Sequence, residues 1–325
     1  MKKLYISMYH YVRDLKNSRY PEIKGLDISL FKKQIEFIKN SFSPVTIEDV
    51  IDHYERGTSL PDKPILFTFD DGYIDHFTAA FPILQENGIQ GSFFIPGKTF
   101  TENVLLDVNK IHFILASADV NELYNDLLVR IDHLIANGEY TAFTKEELLE
   151  KYAIANRFDP KEVVFIKRIL QTALPEEIRN RITSELFKKF VGIEEDKFAR
   201  ELYMNIDQIK CMKRNGMYIG LHGYDHYWLG NLEEKKMQKD IDDSLKVLSD
   251  VVDKDCFIMN YPYGSYNDDV LSYLRQKGCK LGMTTDVRIV DLDKNDRLLL
   301  PRLDCNDFPP KSEHYLDIEK GMKNE

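Results

Sequence analysis

The sequence predicts an α/β fold, with parallel strands and helices packed outside the sheet. Two observations predict it. Short apolar runs alternate with segments of helical spacing in both the first hundred and the last hundred and twenty residues. Repeated strand–helix units of this kind pair their strands in parallel. The residues richest in chemistry, Asp70-Asp71 and the pair His222 and His226, each stand just past an apolar run. In parallel α/β sheets, ligands bind at that end of the strands.

The elements follow in order. Leu4 to Tyr11 reads as the first strand. Phe31, Ile35 and Ile38 lie at helical spacing within Ser29–Ser41. Thr46 with Asp49 three positions on resembles a capping box and opens a helix through Tyr54. Ile65–Phe69 is a strand that ends at the two carboxylates. His76–Asn87 is a helix stopped by Gly88, and Ser92–Ile95 is a strand ended by Pro96-Gly97. The alternation resumes with helix Ile206–Asn215, strand Met217–Leu221 and helix Leu232–Val252, which carries Met237, Ile241, Leu245 and Leu248 on one face. Strand Cys256–Asn260, helix Asp268–Lys277 and strand Lys280–Thr284 complete it.

The middle breaks this rhythm. From about 103 to 205 only helical patterns are found, so the chain reads as one catalytic domain, 1–325, with a helical insertion at 103–205. Leu123, Leu127, Ile131, Leu134 and Ile135 form one stripe, and Ile178, Ile182, Leu186 and Phe190 another. Thr144 with Glu147 makes a capping box. Asp159-Pro160-Lys161-Glu162 reads as an N-cap followed by proline at the first helical position. His112 and His133 are expected on helix surfaces. The insertion is expected to shape substrate access from the rim of the fold, or to pair two copies of the chain.

Composition excludes some partners. A net charge of -10 with no basic stripe argues against nucleic acid. No apolar run approaches the roughly 20 residues that span a bilayer. Met-Lys-Lys is followed by a run that Ser7 and His10 interrupt, which reads as a strand and not a leader. Four dispersed cysteines without a CxxC pair suit reduced thiols. A cytoplasmic location is the expectation.

Two strand-end carboxylates and two histidines four apart supply three ligands for a divalent ion plus one spare carboxylate, which suits hydrolysis by an activated water. Neither element alone is diagnostic. Asp-Asp-Gly after a strand also makes an ordinary turn or helix cap, and His-x3-His arises by chance. Their joint occurrence at two strand ends of one chain carries the inference.

These segments resemble the polysaccharide deacetylases, the NodB-homology or family 4 carbohydrate esterases. Thr68-Phe69-Asp70-Asp71-Gly72 is similar to the first motif of that family, and His222-Gly223-Tyr224-Asp225-His226 to the second. Tyr261-Pro262-Tyr263-Gly264 resembles the third, and Leu300-Pro301-Arg302 a late arginine segment of members that begin with a Tyr-His strand, here Tyr9-His10-Tyr11. The resemblance covers about 1–97 and 206–309. It implies a deformed (β/α) barrel, often seven-stranded, and one divalent metal ion, expected to be zinc, on Asp71, His222 and His226. It makes Asp70 the general base and gives the oxyanion to the backbone N–H of Tyr263, with Pro262 walling the groove. His10 is the better placed general acid, since the one other histidine after His226, His314, lacks a strand context.

Two departures stand out. Gly223 replaces the Ser or Thr usual in the second motif. Asn260 replaces the arginine that often orients the base, and Arg302 is expected to supply that guanidinium, with Asp304 or Asp286 as its partner. The reading is a metal-dependent N-deacetylase of an amino sugar, in nucleotide-linked, lipid-linked or oligosaccharide form, in surface-polysaccharide biosynthesis. The alternatives are an amidohydrolase on a non-sugar amide and a non-catalytic carbohydrate-binding relative.

Overall fold

The computed structural model describes residues 2–157 and 159–322. Met1, Phe158 and the last three residues lie outside them. The chain divides into two compact units. The first comprises 1–14, 25–104 and 199–325, and the second comprises 15–24 and 105–198.

The first unit is built on a parallel sheet. Its strands are β1 (Lys3–Tyr9), β2 (Pro64–Phe69), β3 (Gly91–Ile95), β4 (Tyr218–Leu221), β5 (Ile258–Asn260) and β6 (Leu281–Met283), hydrogen-bonded in that order. Their registers bring Tyr9 beside Phe69, Phe69 beside Phe93, Ile95 beside Leu221, and Leu221 beside Met259. The C-terminal ends of the strands therefore line up, and the residues that follow them gather at one rim. Both edges of β1 are used. Its first residues pair antiparallel with β7 (Val290–Asp291), and Ser7 and Met8 pair parallel with β8 (Leu303–Asp304). Met283 also forms a parallel bridge to Leu300. Seven parallel segments thus link round into an irregular barrel, with 300–304 closing it.

Closure depends on a close approach. Gly282 donates its N–H to Arg297 O at 2.9 Å and accepts from Leu300 N at 2.8 Å. A Cβ on Gly282 would lie 2.2 Å from Leu298 O and 2.5 Å from Tyr261 Oη, so only glycine allows the closing segment to pass.

Alternation sorts the strand residues. Tyr5, Tyr9, Ile65, Phe67, Phe69, Phe93, Ile219, Leu221 and Met259 belong to the main core with the surrounding helices. Leu4, Ile6, Leu66, Phe94, Ile258, Leu281 and Met283 form a second core. Every residue of β2 is buried, as a strand covered on both faces requires. The hydrophobic runs read from the sequence are therefore sound, although the observed strands are shorter at both β5 and β6.

The helices around the sheet start where their sequences cap them. Thr46 and Asp49 form the expected capping box on Ile47–Arg56. Asn205 and Gln208 form another on Ile206–Arg214, which sequence reading passed over. The segment after the carboxylates is not a plain helix. It begins as a π-turn, His76–Ala80, before Phe81–Glu86.

The second unit is helical. Val120–Ala136 buries Leu123, Leu127, Ile131 and Leu134, as the stripe predicts. The stripe on Glu176–Phe190 turns slightly, burying Ile182, Leu186 and Phe187 while Phe190 stays half-buried. Thr144 and Glu147 cap Lys145–Tyr152 as expected. The cap at Asp159 differs from expectation. Pro160 is the N-cap of Lys161–Arg168, because the Asp159 carboxylate is taken by Lys167, 2.7 Å away, and by Lys24. Segment 15–24 belongs to this unit through contacts that sequence spacing does not show. Tyr20 sits edge-on against Phe113 and Phe198. Among the described residues no helix is long and apolar enough to cross a membrane.

Candidate active site

Every sequence-predicted site residue lies in the first unit. Asp70 directly follows β2, and its N–H donates to Tyr9 O at 2.9 Å, which extends the ladder one step to the rim. In a strand, successive side chains point to opposite faces. Asp71 escapes that rule because its φ is 75° and that of Gly72 is 68°. This left-handed pair turns the chain so that both carboxylates serve the same rim. Strained backbone of this kind clusters at functional sites. His226 (φ 54°) and Tyr263 (φ 59°) share it, so three of the five non-glycine residues at positive φ among those described lie here.

Asp71 Oδ1 stands 3.3 Å from His222 Nε2 and 3.3 Å from His226 Nε2. All three residues are almost fully buried. Among the described residues these three form one group whose ligand atoms lie within 4.8 Å of one another. Asp71 Oδ1 receives no well-formed hydrogen bond. His222 Nδ1 lies 2.7 Å from the carbonyl of Asn260. A carbonyl can only accept, so Nδ1 carries a proton, and in the neutral ring, the form that ligates a metal, Nε2 is left with a lone pair facing the shared centre. A buried carboxylate oxygen without a donor, facing an imidazole lone pair, is the donor set of a divalent cation site. The residues fit the ion that the family resemblance implies. Tyr73 Oη donates to Asp71 Oδ2 at 2.5 Å. Its ring stacks on Tyr11 at 4.0 Å, so the phenol is itself held.

Asp70 is held differently. Arg302, fully buried, grips it with two parallel hydrogen bonds of 2.8 Å, Nη1 to Oδ1 and Nη2 to Oδ2. The remaining Arg302 donors go to Thr68 Oγ1 at 3.1 Å, Thr284 O at 2.9 Å and Asn260 Oδ1 at 3.0 Å. All five guanidinium N–H directions are used, which fixes the fork completely. Asn260 Nδ2 adds a bond of 2.6 Å to Asp70 Oδ1. Burial pushes the Asp70 carboxyl up, but the Arg302 guanidinium outweighs it and holds the group well below the usual carboxylate range.

This corrects one expectation. Arg302 does not take the side chain of Asp286 or Asp304 as its partner. Its backbone N–H bonds Asp286 O at 2.9 Å, and its side chain pairs with Asp70. Asn260 is no simple loss either. Its side chain bridges Asp70 and Arg302, and its carbonyl orients His222. One residue at the end of β5 therefore sets both the free carboxylate and one histidine.

His10 follows β1, with Nε2 3.8 Å from Asp70 Oδ2 and a side chain 39% exposed. It stands outside the Asp71 cluster, and its carbonyl accepts from His76 Nε2 at 2.8 Å. His314 lies on another helix, with Nδ1 3.1 Å from Asp307 Oδ1. Pro262 and Tyr263 form the single turn Pro262–Gly264 after β5. The Tyr263 ring meets His226 edge-on at 4.7 Å and stacks on Trp228 at 4.4 Å. Sequence reading missed Tyr73, Trp228 and Asp240. The first two carry no motif signal beyond adjacency to the ligands. Asp240 lies mid-helix beside the buried Met237 and Ile241, where a lone carboxylate belongs to no motif.

The family model for polysaccharide deacetylases matches residues 57–131 and 192–282, together about half of the chain. YxkH of Bacillus subtilis (strain 168) is 20% identical over 285 residues, 87% of this chain and 65% of that protein. The poly-beta-1,6-N-acetyl-D-glucosamine N-deacetylase of Escherichia coli (strain K12) is 38% identical over 58 residues, 18% of this chain and 9% of its own length. The chain thus spans less than two thirds of the length of these curated relatives. Among solved structures, the Streptococcus pyogenes deacetylase PplD in complex with acetate superposes with a TM-score of 0.58 at 17% identity, covering 97% of this chain and 96% of that one. The match in fold extends over the barrel that presents Asp70, Asp71, His222 and His226, and the chain belongs to the polysaccharide deacetylase family.

Proposed function

We propose that the chain is a metal-dependent hydrolase that removes an N-acetyl group from an amino sugar of a surface polysaccharide. The observation that carries this reading is the pairing of the Asp71–His222–His226 cluster with a separate, rigidly held carboxylate, Asp70. The name of the Escherichia coli relative supports the amino-sugar substrate for this chain.

Asp71, His222 and His226 would hold a divalent cation, zinc or a similar ion, which would supply the positive charge needed to acidify water and polarise the acyl carbonyl. Asp70 accepts the proton of the attacking water. Arg302 and Asn260 keep it ionised and aimed, so no reorientation is needed at the moment of transfer. The Tyr263 backbone N–H, on its left-handed turn, donates to the developing oxyanion, and Pro262 walls the groove. When the C–N bond breaks, His10 gives its proton to the departing amine. Water has then been split between acetate and amine, and a proton passed from Asp70 to His10 restores both groups.

The test is direct. Protein purified without chelator is assayed for Zn²⁺, Co²⁺ and Ni²⁺, and then for acetate release from β-1,6- and β-1,4-linked N-acetylglucosamine oligomers. About one equivalent of metal and metal-dependent acetate release are expected. Metal without acetate release from any acetylated sugar, but with hydrolysis of simple amides, would move the protein to the non-sugar amidohydrolases.

A further inference from the structure

The two histidines of the cluster are held unequally. His222 gives its Nδ1 proton to Asn260 O. His226 Nδ1 has no hydrogen-bond partner among the described residues. A ligating histidine usually donates its second N–H to a carboxylate or carbonyl, which fixes the ring. With no hydrogen bond at Nδ1, the ring of His226 is placed by its packing against Tyr263 and His222 and by its backbone, and that backbone is a loop with no regular structure and a positive φ at its last residue. Something must hold the loop.

We propose that Asp240 is the positioning residue of the His222–His226 loop and, through it, of His226 as a ligand. This rests on the metal reading above. Asp240 lies on helix Glu234–Val247 and is 5% exposed. Its Oδ1 accepts from Tyr224 N and its Oδ2 from Asp225 N, both at 2.9 Å. Both oxygens thus bind consecutive backbone amides in the middle of the loop. Ser244, one turn on, donates to Gly223 O at 3.2 Å. The opposite edge of the loop is tied to the end of β3, where Gly97 N donates to Gly223 O at 3.0 Å and Lys98 N to Tyr224 O at 2.9 Å.

The glycine at 223 answers to the same arrangement. Its φ is 68°, and a Cβ there would lie 2.9 Å from Asp240 Oδ1. A side chain at 223 and the Asp240 carboxylate compete for one space, and here the carboxylate has it. Burial pushes the Asp240 carboxyl up to about 6. At neutral pH its ionised form is kept at a cost to stability, and what it gains there is the position of the loop.

Asp240→Asn keeps the volume and one acceptor and removes the other, so it loosens one of the two amides that hold the loop. Zn²⁺ affinity, measured by competition with a chelating dye, is expected to fall about 10–100-fold. The d–d absorption of the Co²⁺-loaded protein should shift, a readout of ligand position that a loss of stability alone would not move. Wild-type affinity with an unchanged Co²⁺ spectrum overturns the proposal while leaving the metal reading intact. If Asp240→Asn does not fold, Asp240→Glu moves both acceptors by one methylene. A folded Glu variant must then show weakened Zn²⁺ binding, and native affinity in it overturns the proposal. A wild-type protein that takes up neither Zn²⁺ nor Co²⁺ overturns both readings together.

Discussion

At the scale of single residues, the site separates two carboxylates that are neighbours in sequence. Asp71 keeps an oxygen bare, whereas Asp70 has both oxygens in the grip of Arg302. The consequence differs for each substitution. Asp70→Asn leaves the Asp71–His222–His226 donors in place, so the metal is expected to stay while turnover falls about 10²–10⁴-fold. Loss of metal from this variant would reverse the assigned roles of the two residues. Arg302→Lys removes the fork but keeps a charge. A lysine cannot form two parallel bonds, so kcat is expected to drop by about 10²-fold. The direction of the pH effect also follows. Arg302 holds the Asp70 carboxyl low. Weakening the pair raises it, so the acid limb of kcat/KM moves to higher pH in Arg302→Lys. A profile that keeps its acid limb would mean that Asp70 is not the group titrating there.

At the scale of elements, one helix and one loop set the terms. Burial, reinforced by the nearby Asp225 and Asp243 carboxylates, raises Asp240 from 3.8 to about 6 despite two backbone donors. A carboxyl raised in the folded state favours folding while protonated. Its contribution is present below its unfolded value, and is lost as pH rises through about 6. Two units correspond to on the order of 3 kcal/mol. Metal-free Asp240→Asn lacks this titration. It is therefore expected to lose less stability than wild type between about pH 4 and about pH 7. Thermal unfolding in chelator across that range checks it, and parallel curves for the two proteins would show that the carboxylate ionises freely. The π-turn His76–Ala80 is a second element with a local effect, since its first residue donates from Nε2 to the carbonyl of His10.

At the scale of the whole molecule, the division of the chain decides what can be removed. All the site residues lie in the first unit, and the helical unit takes in 15–24 as well as 105–198. Deleting only the long segment would strand Tyr20 without Phe113 and Phe198, and Lys24 without Asp159. Replacing both segments with short Gly/Ser linkers is expected to give a protein that still binds about one equivalent of Zn²⁺. Replacing 105–198 alone should give an aggregation-prone product, because apolar surface on 15–24 is uncovered. Metal analysis and size-exclusion chromatography of the two deletions distinguish these outcomes.

Read along the chain, the amino-acid sequence by itself determined much of this protein. It carried the α/β alternation, the strand ends at Asp70-Asp71 and His222, the capping boxes at Thr46 and Thr144, and the helical character of the middle. These are short-range properties, written in periods of two or 3.6 residues and in caps three residues apart. Tertiary structure alone decided the rest. Arg302 meets Asp70 across 232 positions because β8 closes the barrel on β1 beside β2. Asn260 reaches Asp70 across 190 because both stand at strand ends on the same rim of the barrel. Asp240 belongs to no motif, and its role appears only where the His222–His226 loop meets it; 15–24 carries no pattern, and its place appears only where Tyr20 meets Phe113 and Phe198. In each case the partner is chosen by strand register and packing. Those depend on all the intervening chain at once, and no local pattern records them.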